Sequence, residues 1–164
     1  MQKEYKNKKI GFSLVEIVIA IAISVMFFLA IYEMILFATK ITANSLRRVE
    51  AVNFAQEGIE AVRTIRDKSW TTNLAGIAND TNYYLLISGG KWTLTQTAQP
   101  FLNTMFTRTI KFYAVNRDVN GNIVASGGTA DIKTKKVVST VSWTERGQSY
   151  NVSLETYMTN FLDN

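Results

Sequence analysis

Glu16 is a carboxylate inside an apolar run, and its position suggests charge pairing. From Phe12 to Tyr32 it is the only strongly polar residue among 21. A charged side chain inside a membrane-spanning helix costs about 2.5 to 3.5 kcal/mol on insertion scales, and it usually has a partner or a function. The alternative is that Glu16 lies at the headgroup level and extends its carboxylate to water.

A second group of oxygen-bearing side chains could bind a cation. Asp118, Asn120 and Asn122 alternate around Gly121, as at the start of a calcium-binding loop, and Asp131 could complete the set. The bidentate glutamate that usually ends such a loop is missing. Asn and Asp also favour ordinary turns, because they tolerate the left-handed conformation. A calcium site and a metal-free turn therefore both remain open, and we expect no other cofactor.

The residue types exclude several kinds of catalytic site. The chain has no histidine and no cysteine, so a Ser-His-Asp triad, a cysteine nucleophile, the common zinc sites and disulfides are all excluded. The segment Ser126-Gly127-Gly128 lacks the spacing and the lysine of a phosphate-binding loop. Because the acidic residues of the C-terminal part are also scattered, we predict that the protein is not an enzyme.

The apolar run predicts a membrane-spanning helix with a cytoplasmic N-terminus. At about 1.5 Å per residue, 21 helical residues span roughly 31 Å, the thickness of the hydrocarbon layer. A cleaved secretory signal has a shorter apolar region that ends in small residues. Here the small residues lie in the middle of the run: Ala20, Ala22 and Ser24. Four lysines precede the run and favour the cytoplasmic side: Lys3, Lys6, Lys8 and Lys9.

The segment Lys8-Lys9-Ile10-Gly11-Phe12-Ser13-Leu14-Val15-Glu16 resembles the N-terminal signal of type IV pilins and type II secretion pseudopilins. In that family a prepilin peptidase cleaves after the glycine, and the new N-terminal phenylalanine is methylated on its amine. A glutamate at the fifth mature position then directs assembly by pairing with such an amine on a neighbour. The resemblance implies cleavage between Gly11 and Phe12, N-methylation of Phe12 and an assembly role for Glu16.

The resemblance also implies partners and leaves the subfamily open. The expected partners are prepilin peptidase, the membrane and other pilin subunits, in a filament of identical or different subunits. Many pilins have a cysteine pair, which is absent here, and a helix-kinking proline where this chain has Glu33. We interpret Glu33 as the outer end of the span, with a second assembly role as the alternative. Residues 55–63 resemble the helix of PilV-type minor pilins.

The elements that position these residues begin with one long helix. No proline interrupts residues 12–68, so a helix of about 57 residues, roughly 85 Å long, is predicted. Apolar residues continue at helical spacing beyond the span and predict a buried stripe: Ile41, Val49, Val52, Ala55, Ile59, Val62 and Ile65.

Patterns typical of strands and turns follow the helix. Residues 71–82 predict a loop, and Gly89-Gly90 predicts a hairpin between strands at 83–88 and 91–96. Alternation predicts a further strand whose buried face carries Phe106, Ile110, Phe112 and Ala114, and two last strands around a turn at 145–148. These patterns predict an α+β fold, in which the long helix covers an antiparallel sheet of four or five strands, as in type IV pilins.

The predicted organisation has three parts. Residues 1–11 are a prepilin leader that is cleaved, and residues 12–38 are the transmembrane half of the helix. Residues 39–164 form an extracytoplasmic head, with helix 39–68 and a β-sheet domain at 83–160. The protein is expected in the cytoplasmic membrane as a single-pass protein, and later in a cell-surface or envelope filament.

The predicted function is that of a structural subunit, and the sequence favours a minor pilin of a type IV pilus over a type II secretion pseudopilin. The alternative is a membrane-tethered, β-rich binding or adhesion module. Lys133, Lys135 and Lys136 suggest a DNA-uptake pilin, but a solvated turn is the simpler reading. The formal net charge of +5 falls to about +2 without the leader, so no nucleic-acid binding is expected.

Overall fold

A computed structural model describes residues 13–99 and 105–163. Helix α1 spans Leu14–Lys68, and the short helix α2 spans Trp70–Asn73. Six strands follow: β1 (Tyr84–Ser88), β2 (Lys91–Thr95), β3 (Phe106–Arg117), β4 (Ile123–Val124), β5 (Thr129–Glu145) and β6 (Gln148–Thr159). The chain divides into two units, Met1–Ser45 and Leu46–Asn164.

The first unit consists, where the structure describes it, of the N-terminal part of α1. Every side chain from Ser13 to Thr42 is exposed. In the described residues α1 is the one helix long and apolar enough to cross a membrane, with a mean hydropathy of 2.8 over its most apolar window. A helix that is apolar on all sides is stable in lipid rather than in water. The finding fits a membrane-anchored protein.

The second unit contains two antiparallel sheets rather than the single sheet predicted. Strands β4-β3-β5-β6 form one sheet in that order, and β1 and β2 form the other. In the described residues, backbone pairing joins the hairpin to β3 at one isolated bridge, where Tyr83, immediately before β1, and Ile110 exchange hydrogen bonds of 2.9 and 2.8 Å. Alternation along a strand identifies its buried face but not its pairing partner, which explains the difference.

A β-bulge corrects one prediction about strand β3. The pairing of β3 with β5 shifts register between Ala114 and Asn116. Because a bulge inserts one extra residue, the residues after it exchange faces. Ala114, predicted to be buried, is therefore exposed, and Val115 is buried instead.

The second half of α1 packs on the four-stranded sheet and forms the core. The predicted apolar stripe is confirmed from Ala55 onward, but Ile41 and Val49 are exposed. Near the helix end, one cluster joins Ile59, Val62 and Ile65 to strand residues. An earlier cluster joins Ala51 and Ala55 to Phe106, Val141 and Trp143. The small side chains of the two alanines leave room for these large aromatic rings.

Gly58 and Arg108 mark the closest contact between helix and sheet. A Cβ atom at Gly58 would lie 2.5 Å from Ser139 Oγ and 2.9 Å from the Arg108 side chain. Arg108 is buried, donates from Nη1 to the Phe54 carbonyl oxygen at 2.9 Å, and lies 3.7 Å from a Glu57 carboxylate oxygen. Burial lowers the pKa of Arg108, and the nearby Glu57 carboxylate opposes that shift.

Residues 71–82 were predicted to be a loop, but the first of them belong to helix α2. Ser69 caps α2 by accepting a hydrogen bond from the Thr72 amide at 3.2 Å, and Trp70 is buried. The buried Trp70 side chain anchors this helical turn, which the polar residues after it did not predict. The long helix and the antiparallel sheets confirm the predicted α+β, pilin-like architecture.

Candidate functional site

Glu16 lies in the first turn of α1 and is exposed. The Ser13 carbonyl oxygen accepts hydrogen bonds from the amides of Glu16 at 3.0 Å and Ile17 at 3.2 Å, so the helix begins immediately after Ser13. Unpaired backbone amides give a helix N-terminus a partial positive charge, which favours a carboxylate there. Glu16 therefore has a local stabilising role, and its assembly role stays a prediction.

The sequence Ser13-Leu14-Val15-Glu16 also matches a capping box. The pattern was missed in the sequence, because the same residues belong to the pilin-like signal. In a capping box a serine precedes the first turn and a glutamate or glutamine three residues later completes the cap. Glutamine can replace glutamate in the motif, because either side chain can accept a hydrogen bond from the backbone amide of the capping residue. Substitution can therefore separate the capping pattern at Glu16 from its charge.

Glu16 shares one helix face with small residues. Glu16, Ala20, Ser24 and Phe28 are spaced by four and line a shallow groove of about 470 Å³. Ser24 Oγ donates to the Ala20 carbonyl oxygen at 2.8 Å, so the hydroxyl is satisfied within its own helix. Small residues allow another helix to approach closely in a membrane. This face, the Glu16 face, could accept a neighbouring helix.

Glu33 lies in a separate position on the same helix. It is 17 residues after Glu16, which corresponds to about 26 Å along the axis. Its side chain lines another groove, of about 540 Å³, together with Phe37 and Lys40. The structure therefore does not bring Glu33 and Glu16 together.

Gly11 and Phe12, the predicted cleavage and methylation positions, lie outside the described residues. Their role therefore stays a prediction from the sequence. Glu16 is the one member of the predicted processing and assembly set that the structure describes.

The structure places Asp118, Asn120 and Asn122 in one tight turn. Asp118 Oδ1 accepts hydrogen bonds from the amides of Asn120 and Asn122, at 2.9 and 2.8 Å. Asp118 Oδ2 accepts from Asn122 Nδ2 at 3.1 Å. The Asn122 side chain, followed by its backbone amide, lowers the pKa of Asp118. Both carboxylate oxygens thus already have donors within the turn.

Asp131, the proposed fourth member of the calcium set, pairs with a cation instead. Its carboxylate accepts from Arg117 Nε at 2.6 Å, and this hydrogen bond is the main cause of its lowered pKa. Within residues 13–99 and 105–163, no group of three or more His, Cys, Asp or Glu side chains could hold a metal ion. Calcium at Asp118, Asn120 and Asn122 remains a hypothesis for experiment.

Lys133, Lys135 and Lys136 do not form one basic surface. Lys135 is buried, and its amine lies 3.3 Å from Asn79 Oδ1 and 3.4 Å from the Ile77 carbonyl oxygen. Lys136 follows it on the opposite face of β5 and forms an ion pair of 2.7 Å with Glu155. Lys133 forms an ion pair with Asp163 at 2.8 Å.

Comparison with known proteins identifies the N-terminal segment. Residues 6–32 match the family described as the prokaryotic N-terminal methylation motif, which is the type IV pilin-like signal. The matched segment includes Gly11, Phe12 and Glu16. No curated protein and no solved structure matches the chain.

Proposed function

We propose that this chain, which carries the type IV pilin-like signal, is a structural subunit of a type IV pilus or pilus-like filament, and that it acts as a minor pilin. The methylation motif carries the proposal, because it joins the basic leader, Gly11, Phe12 and Glu16 to an apolar helix at residues 6–32. The exposed apolar surface of α1 supports it, since that surface requires lipid or neighbouring helices.

The proposed sequence of events begins in the cytoplasmic membrane. The N-terminus is cytoplasmic and the head is extracytoplasmic, as the lysines of the leader favour. Prepilin peptidase removes residues 1–11, and the new amine of Phe12 is methylated. Cleavage thus replaces a basic leader by a single cation at the edge of the apolar phase.

Assembly then follows from the electrostatics of Glu16. Inside lipid a carboxylate without a counter-ion is unfavourable, whereas the Phe12 amine of a neighbouring subunit would supply the opposite charge. Attraction between two charges is strong where the dielectric constant is low. The small residues Ala20 and Ser24 on the Glu16 face support this step, because they permit close approach of another helix.

Two alternatives use the same membrane anchor. A type II secretion pseudopilin would share the processing and assembly steps and differ in its partner subunits. A membrane-tethered binding or adhesion module would keep the anchor without entering a filament. We propose a role without catalysis in each case, which the lack of histidine and cysteine in the sequence supports.

Processing can be tested by coexpression with a prepilin peptidase. Intact-protein and N-terminal mass spectrometry should find a chain that begins at Phe12 and carries one added methyl group. Gly11→Val should retain its leader, because glycine has no side chain and a larger residue would place its Cβ against the peptidase at the cleavage site. Glu16→Gln should be cleaved like the unmodified chain and serves as the matched control. Retention of the leader by the unmodified chain, beside a prepilin that is cleaved in the same cells, would contradict the proposal.

A further inference from the structure

The face of the four-stranded sheet opposite α1 carries an unusual row of side chains. Tyr113 on β3, Lys136 on β5 and Tyr157 on β6 are direct cross-strand neighbours. The adjacent row contains Lys111, Val138 and Glu155 in the same order. Strands are about 4.8 Å apart, so the two tyrosines lie on backbones about 9.6 Å apart with a charged residue between them.

These side chains line a groove of about 520 Å³. One side of the groove is formed by side chains of β3, β5 and β6: Tyr113, Lys136, Glu155 and Tyr157. Another side, its wall, is formed by residues 123–125 of the β4 segment. We call this the tyrosine groove. The Tyr157 side chain is about half exposed, so a ligand can reach its ring. The volume lies within the range of small-molecule sites, about 300 to 1,000 Å³.

Hydrogen bonds from the end of β3 hold the segment that contains β4, which forms one side of the tyrosine groove. Asn116 Nδ2 donates to the Gly127 carbonyl oxygen at 2.9 Å, and Arg117 Nη1 donates to the Gly121 carbonyl oxygen at 2.8 Å. A Cβ atom at Gly128 would collide with the carbonyl oxygen of Arg117. The bulge in β3 lies beside the same groove. A preformed wall lowers the entropic cost of binding a ligand.

The charges in the tyrosine groove compensate one another. Lys136 and Glu155 form an ion pair of 2.7 Å, and the Glu155 hydrogen bond raises the pKa of Lys136. At the rim Lys111 pairs with Asp80 at 3.0 Å. The Lys111 amine lowers the pKa of Asp80, and the Tyr113 side chain lowers it further. With paired lysines, the groove favours a neutral ligand over a polyanion such as DNA.

We propose that the tyrosine groove binds a neutral oligosaccharide. A sugar ring has an apolar face that can stack on tyrosine and hydroxyl groups at its edge that can bond to Lys136 and Glu155. The rows beyond the groove carry further polar groups: Thr109, Thr140 and Ser153, then Thr107, Ser142 and Asn151. Thr140 and Ser153 already exchange a hydrogen bond of 2.8 Å. A longer saccharide chain could continue along these rows.

Saturation-transfer NMR on the full chain in detergent tests the proposal. The probes are neutral tetrasaccharides built from glucose, N-acetylglucosamine, mannose or galactose, each at millimolar concentration. At least one should receive saturation at its ring protons. Tyr157→Ala should weaken that binding about tenfold or more, as expected for a central aromatic contact.

A matched control is Tyr150→Ala, because Tyr150 lies on the same strand but stacks on Trp143 outside the groove; it should bind as the unmodified chain does. Melting curves establish that each variant is folded. The double variant Lys136→Gln, Glu155→Gln removes both charges and should also bind more weakly. The proposal is overturned if no tetrasaccharide receives saturation, if Tyr157→Ala binds normally, or if the groove variants instead abolish binding of a DNA duplex. None of these outcomes depends on cleavage or filament assembly.

Discussion

We propose that Glu16 has two stabilising roles that act at different stages. In the isolated helix its carboxylate lies in the first turn, where the helix dipole favours a negative charge. In the proposed filament the same carboxylate meets the Phe12 amine of a neighbour. The described residues supply Glu16 with no ion pair of their own, so its charge is available for that contact. The sequence motif predicted the pairing with a neighbouring subunit. The start of the helix after Ser13 indicates the stabilisation of the helix N-terminus.

The sequence of the Asp118 turn could not distinguish a calcium site from a metal-free turn. The alternating oxygen-bearing side chains were compatible with both calcium and a turn, because both use the same residue types. The structure adds what the sequence lacked, namely that the Asp118 carboxylate accepts three hydrogen bonds from within the turn. Calcium would have to replace those donors.

Calcium dependence of the head can therefore be predicted. The melting temperature of the head should be the same in millimolar Ca²⁺ and in chelator, because the turn is already satisfied without a cation. Asp118→Ala should lower that temperature in both conditions, since it removes the three hydrogen bonds that the carboxylate accepts within the turn. A rise in melting temperature with Ca²⁺ that is lost in Asp118→Ala would establish the metal site instead.

Helix α1 changes its environment along its length. Up to Thr42 its side chains are exposed and largely apolar, whereas Ala51, Ala55, Ile59 and Val62 are buried against the sheet. Helical periodicity predicted the buried stripe, but it could not show where burial begins. Similarly, alternation predicted the strands, while the bulge at Ala114 and the separate β1-β2 sheet depend on hydrogen bonds between distant segments.

Gly58 shows how packing overrides helix propensity. A glycine inside a helix costs about 1 kcal/mol relative to alanine, so sequence alone identifies this position as a weak point. The structure shows instead that Gly58 permits contact with Ser139 and Arg108. A larger residue there would force the Ser139 and Arg108 side chains, or the helix itself, to move.

We predict that Gly58→Ala destabilises the head despite its better helix propensity. Overpacking costs about 1 to 3 kcal/mol, which offsets or exceeds the gain of about 1 kcal/mol. Asn53→Ala is the matched control, because Asn53 is exposed on the same helix and should be neutral or slightly stabilising. Chemical denaturation of the two variants measures the difference, and a stabilised Gly58→Ala would disprove the close packing.

At the scale of the whole molecule, the two units fit different surroundings. The unit up to Ser45 exposes apolar side chains throughout its described part, and the unit from Leu46 has a core of its own. Such a division suits a protein that is first held in a membrane and later held by neighbouring helices, while its head stays folded in water. The α+β class followed from residue patterns, because a long uninterrupted helix and alternating strands are strong local signals.

We propose that Glu16 drives entry into a filament through its charge. The most direct measurement is the amount of each variant in filaments sheared from cells that contain the peptidase and the assembly machinery. The unmodified chain and Ser13→Ala, which removes the serine of the capping pattern but keeps the charge, should both be found there. Glu16→Gln keeps the capping pattern without the charge, and it should be cleaved normally yet remain in the membrane fraction. If Glu16→Gln is found in sheared filaments at the level of the unmodified chain, the charge of Glu16 is not needed for filament entry and the proposal is wrong.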